Sequence, residues 1–113
     1  MDELRRTLAR FVKSRDWEQF HSPKNLSMAL AGEAGEILEI FQWLTQAESR
    51  ALPKEKRAML ADEIGDVMIY LTMLADKFGI DPVTAAKRKT RKNMKKYPAA
   101  KTKGSRAKYT ELK

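Results

Sequence analysis

GEAGEILEIFQW, residues 32 to 43, decides the architecture, because its apolar residues extend a stripe that only a helix can gather. Leu26, Leu30, Ile37, Phe41 and Leu44 are spaced four, seven, four and three apart, the interval at which side chains return to one face of an α-helix. Set into that stripe are Glu33 and Glu36. At about 100° per residue, Glu33 falls between Leu30 and Ile37, and Glu36 at the edge beside Ala29, Ile40 and Trp43.

Outward from this stretch, helix signals continue in both directions and no segment alternates like a strand. Ser22-Pro23 opens the helix, with serine as cap and proline in the first turn, and it runs to about Thr45. Upstream, Leu4, Leu8, Phe11 and Val12 predict a first helix over about Glu3 to Phe20. Downstream, QAESRAL reads as a polar linker. A third helix is expected from Pro53 through KEKRAMLADEIGDVMIYLTMLADKF, stopped by Gly79. Asp81-Pro82 then starts a fourth, ending at Tyr97 before Pro98. Four helices with short links predict an all-α bundle, and their excess of apolar residues predicts self-association into a homo-oligomer. The expected division is a helical domain over 1–98 and a basic tail over 99–113.

The chain's 113 residues suit one small domain, and its 42% apolar content suffices for a core. Without cysteine, thiolate chemistry and zinc-cysteine sites are excluded. The charged N-terminus MDELRRTLARF offers no signal-peptide run, so a cytoplasmic protein is expected. The net charge of +8 is unevenly placed. Residues 1–86 carry −3 and residues 87–113 carry +11, so a polyanion partner fits, either a nucleic acid or a triphosphate.

The third helix repeats the motif of the second. Glu63 and Asp66 stand three apart, flanked by Met59, Val67, Tyr70 and Leu74. A single such pair commonly meets Lys or Arg, or lies on a solvated flank. Two pairs on apolar faces, with no basic residue between Lys24 and Thr45 or between Met59 and Asp76, favour a metal, because burying unpaired like charges is costly. Hard oxygens without His or Cys suit Mg²⁺, with Mn²⁺ as a substitute. His21, the only histidine, lies outside both pairs, and the Glu-x-x-His of di-iron bundles is missing. Lys89, Asn93 and Lys96 share one face of the fourth helix, either a solvated basic face or a phosphate-binding one. Trp17, Phe20, His21 and Trp43 offer flat surfaces for a nucleobase, though tryptophans in small bundles are commonly core.

These residues carry a resemblance. The sequence resembles the MazG-like all-α nucleoside triphosphate pyrophosphohydrolases, and within them the dCTP pyrophosphatase branch. The similar segments are RDWEQFH at 15–21, GEAGEILEIFQW at 32–43, EIGDVMIYL at 63–71, then Lys89, Asn93, Tyr97-Pro98 and the tail GSRAKYTEL. The resemblance implies hydrolysis of a nucleoside triphosphate, dCTP or a modified dCTP, to monophosphate and pyrophosphate. It implies Mg²⁺ on Glu33, Glu36, Glu63 and Asp66, with Glu36 as the proton acceptor. Trp17, His21, Trp43 and Tyr70 would border the base and sugar, Lys89 and Asn93 would hold phosphate, and a tetramer is favoured over a dimer. Gly32 departs from the adjacent glutamates of the wider family, Lys96 stands where arginine is common, and Leu8 where animal relatives carry histidine. The competing expectations are another base preference, such as dUTP or oxidised nucleotides, and a basic nucleic-acid-binding bundle using residues 87–113.

Overall fold

The computed structural model describes residues 2–99; the expected tail over 99–113 lies, but for Ala99, outside them. Among the described residues all regular structure is helical: α1 (Asp2–Ser14), a 3₁₀ turn (Glu18–Phe20), α2 (Pro23–Phe41), α3 (Gln46–Ser49), α4 (Lys54–Asp76) and α5 (Pro82–Lys96).

The caps explain where the elements stop. Ser22 holds extended backbone and its Oγ accepts from the Asn25 N–H at 3.1 Å, with Pro23 in the first turn, as expected for α2. At the end of α4, Gly79 takes φ +63°, the Ile80 N–H reaches the Ala75 carbonyl and the Gly79 N–H the Asp76 carbonyl. That is the double closure of a Schellman motif, in which glycine escapes the Cβ penalty of left-handed backbone.

Two expectations are corrected. The first helix ends at Ser14 rather than continuing to Phe20, because Asp16 adopts φ +53°. The Trp17 N–H donates to the Val12 carbonyl at 3.1 Å and the Asp16 N–H to the Lys13 carbonyl, the same closure built on an aspartate. The linker QAESRAL contains α3, started by a capping box. The Thr45 Oγ1 accepts from the Glu48 N–H at 3.1 Å, and the Glu48 carboxylate from the Thr45 N–H at 2.9 Å.

The principal packing is α2 on α4, with α1 against α4 and α5 meeting α4 at their shared turn. Little apolar surface is fully enclosed. Among the described residues Val12, Leu26 and Ala75 are the buried hydrophobics, with Thr72 as a buried polar residue. Ile64, Met68 and Leu71, four and three apart on α4, form an exposed apolar stripe. Among the described residues no helix is long and apolar enough to cross a membrane.

Candidate metal centre

Because α2 and α4 pack together, the two carboxylate pairs are brought toward each other. Glu33, Glu63 and Asp66 are each half-buried, and each offers an oxygen within 4.8 Å of the others. None of the four acids has an ion-pair partner: the salt bridges among the described residues join Arg5 to Asp2 and to Asp76. Among the described residues Glu63 Oε2 is closed off from solvent and has no hydrogen-bond donor. Burial first, then the close approach of the Glu33 carboxyl, then the charges of Glu33, Glu36 and Asp66 raise the Glu63 pKa above the ordinary 4.5. A buried oxygen lacking a donor, beside like charges, fits a hard divalent cation. Octahedral magnesium at about 2.0–2.1 Å needs oxygens no more than about 4.2 Å apart, so a small contraction would close the set.

Glu36 is placed differently from the other three. It is exposed and faces Glu39, whose charge is the first cause of its raised pKa, followed by partial burial, a hydrogen bond with Glu39 and the charge of Glu33. It opens on a hollow of about 290 Å³ lined by Glu36, Glu39, Ile40, Lys56, Met59 and Glu63. Sequence reasoning missed Glu39 and Lys56. The signals were present, since Glu36 and Glu39 make a further ExxE, and Lys56 lies seven residues before Glu63, on its face of α4.

The remaining expected residues are spread over the chain. Tyr70 is half-buried on α4, seven residues beyond Glu63 and on the same face. Trp17 packs edge-on to Phe11, with centroids 5.5 Å apart at 75°, and the Arg15 guanidinium lies 3.9 Å over the Phe11 ring. His21 lines a separate hollow with Arg5, Leu8, Thr72 and Asp76. Trp43 is 87% exposed. Lys89 lines a hollow at the α4–α5 turn with Asp81, Arg88 and Lys92, and Asn93, exposed, accepts the Tyr97 N–H on its backbone carbonyl. Neither Lys89 nor Asn93 lines the carboxylate hollow within one chain.

Comparison with known proteins places this helical chain in a family, since residues 29–112 match the MazG-like family model. The chain belongs to the MazG-like family. It is 44% identical to dCTP pyrophosphatase 1 of Mus musculus over 114 aligned positions, covering 99% of this chain and 67% of that protein, and the human protein of the same name gives the same figures. A MazG-like chain of this length thus spans about two thirds of its mammalian relatives. The Gene 37 protein of Mycobacterium phage L5 is 29% identical over 79% of the chain and 75% of its own length. Among solved structures, a pyrophosphatase from Archaeoglobus fulgidus superposes with a TM-score of 0.81 at 42% identity, over 87% of this chain and 92% of that one. All four acids fall inside the matched MazG-like segment.

Proposed function

We propose that this MazG-like chain hydrolyses a nucleoside triphosphate, dCTP or a modified dCTP, to the monophosphate and pyrophosphate, and so cleanses the nucleotide pool. The observation that carries the reading is the uncompensated set of Glu33, Glu63 and Asp66 with its orphaned Glu63 oxygen. The relatives named dCTP pyrophosphatase 1 and the pyrophosphatase neighbour support the reaction class and the base.

Glu33, Glu63 and Asp66 would hold Mg²⁺, with Glu36 at the mouth as a further ligand or as the proton acceptor. Bound there, the ion supplies charge neutralisation for the phosphates and a more acidic water. Glu36 suits the acceptor role because it is exposed to the hollow and its raised pKa makes it more basic than an ordinary carboxylate. A homo-oligomer, a tetramer by preference, belongs to the proposal. The Ile64, Met68 and Leu71 stripe and the 87% exposed Trp43 present apolar surface that a second copy would cover. A second copy would bring Trp17, His21, Trp43 and Tyr70 to the base and sugar, and Lys89 and Asn93 to the phosphates. A cytoplasmic setting accords with the absence of cysteine.

A panel of triphosphates including dCTP, 5-modified dCTP, dUTP and oxidised purines, read by pyrophosphate release in Mg²⁺, tests the reading. Preference for the cytosine nucleotides is expected, and no release from any substrate overturns it. A better rate on dUTP or on an oxidised base would replace the substrate and keep the reaction.

A further inference from the structure

On α4, Lys56, Met59, Glu63, Asp66 and Tyr70 recur three and four apart, so the ammonium of Lys56 rises from the same helix face as two of the metal-binding acids. Lys56 is half-buried and lines the hollow onto which Glu36, Glu39 and Glu63 open. Its nitrogen nonetheless makes no ion pair among the described residues. Glu48, whose carboxylate feels the Lys56 charge, is itself occupied by the Thr45 N–H. Seven residues separate Lys56 from Glu63, about 10.5 Å along the axis, so one face of the hollow runs from an acidic end to a cationic end. The start of α4 strengthens the cationic end. Among the described residues Pro53 provides no side-chain cap there, so the positive end of the helix dipole adds to Lys56, while Lys54, Glu55 and Arg57 stand on other faces of the first turn.

A store for a bare cation would not carry an unpaired ammonium at its mouth, because the two charges repel. A ligand that is itself two-ended, metal-bound at one end and anionic at the other, satisfies both ends. We propose that Lys56 binds the terminal phosphates of the substrate and the pyrophosphate they become. This rests on the pyrophosphohydrolase reading, and it assigns the β and γ phosphates to the α4 start, while the α-phosphorus lies at the acids. Pyrophosphate carries the larger total charge and has a second phosphoryl group to reach Lys56, whereas the monophosphate's single phosphate stays at the acids, so a lysine placed there discriminates between the two products.

The test is calorimetric titration of pyrophosphate with Mg²⁺ into wild type, Lys56→Gln and Lys56→Arg, beside titration of Mg²⁺ alone and steady-state kinetics on dCTP. Lys56→Gln should weaken pyrophosphate binding and raise KM about tenfold, the loss of one charge-assisted contact. Inhibition by the monophosphate and affinity for Mg²⁺ alone should stay within about twofold, and Lys56→Arg should restore most of the pyrophosphate affinity. Unchanged pyrophosphate affinity in Lys56→Gln, equal weakening for the monophosphate, or no pyrophosphate binding by wild type would each overturn the assignment. If wild type turns over no triphosphate yet binds pyrophosphate through Lys56, the enzymatic reading falls and this one stands. Active wild type with an indifferent Lys56→Gln gives the reverse. Helicity by circular dichroism, matched among the three proteins, separates lost binding from lost fold.

Discussion

Replacing Glu63 by glutamine should stabilise the metal-free protein and remove most of its response to magnesium. In the native chain the Glu63 carboxylate is held among Glu33, Glu36 and Asp66 with one oxygen closed from solvent and without a donor. Its raised pKa states that the folded protein disfavours this charge, and the amide abolishes the charge with almost no change of volume. Magnesium acts in the opposite sense. At ten times its dissociation constant a ligand specific to the folded state adds RT ln 11, about 1.4 kcal/mol. For a domain of about 100 residues that raises Tm by roughly 5–10 °C. If losing one of three clustered carboxylates weakens the site tenfold, the same magnesium adds only RT ln 2, and the shift falls to about 2–3 °C. The order of stability therefore crosses: variant above wild type in EDTA, wild type at or above the variant in magnesium. Differential scanning fluorimetry over a magnesium series reads both halves, with turnover of dCTP in parallel expected to vanish in the variant. Equal magnesium shifts in both proteins, or a metal-free variant less stable than wild type, would refute the metal assignment.

Two further outcomes follow from the same geometry. Glu36 and Glu63 both have folded pKa values above 4.5, so the stability they contribute in the metal-free protein is fully present below 4.5 and lost as pH rises through the folded values. Urea melts in EDTA from pH 4.5 to 7 should show that decline in wild type and a flatter profile in Glu63→Gln, while magnesium affinity strengthens over the same window; a steeper decline in the variant counts against it. Leu26, only 1% exposed, should cost about 3 kcal/mol when truncated to alanine, since so small a core cannot collapse to fill the gap. Denaturant unfolding checks this, and a loss below about 1 kcal/mol would show that the site relaxes.

The parts of the fold legible in the sequence were those specified by local chemistry. Ser22-Pro23 and Gly79 named their own helix ends, and the structure uses both as read. The end of α1 was illegible because the residue that enters left-handed backbone is Asp16 and not a glycine, and aspartate does so only when the following hydrogen bonds can form. Thr45 to Glu48 carried a readable capping box, overlooked because four helical residues leave no periodicity. In the site, spacing paired Glu33 with Glu36 and Glu63 with Asp66 on their helices, and the packing of α2 on α4 brings Glu33, Glu63 and Asp66 together. Spacing did not reveal that Glu36 turns to Glu39, nor that Lys56 shares the hollow, because both depend on how the helices are set against each other. Trp17, His21 and Lys89 line or pack in places apart from the acids within one chain, and no local rule reports on contacts between chains.

The sparse core and the strained acid set have a common explanation in the proposed assembly. With Val12, Leu26 and Ala75 as the enclosed hydrophobics among the described residues, there is little stability to spare for clustered carboxylates, yet no compensating side chain among those residues pairs with them. Covering the Ile64, Met68 and Leu71 stripe would contribute about 25 cal/mol for each Å² removed from water, a stabilisation that acts against the repulsion among the acids. The stripe lies about 100° around α4 from Glu63, adjacent to the acid face and not on it. A partner seated there narrows the solvent around the hollow without filling it. Lower local dielectric then strengthens both the hold of the acids on a cation and that of Lys56 on a phosphate. In the proposed assembly, binding of substrate and association of chains would be coupled, and dilution should weaken nucleotide affinity before it unfolds the helices. If affinity for dCTP stays constant down to concentrations at which light scattering shows monomer, the hollow is complete within one chain and the coupling fails.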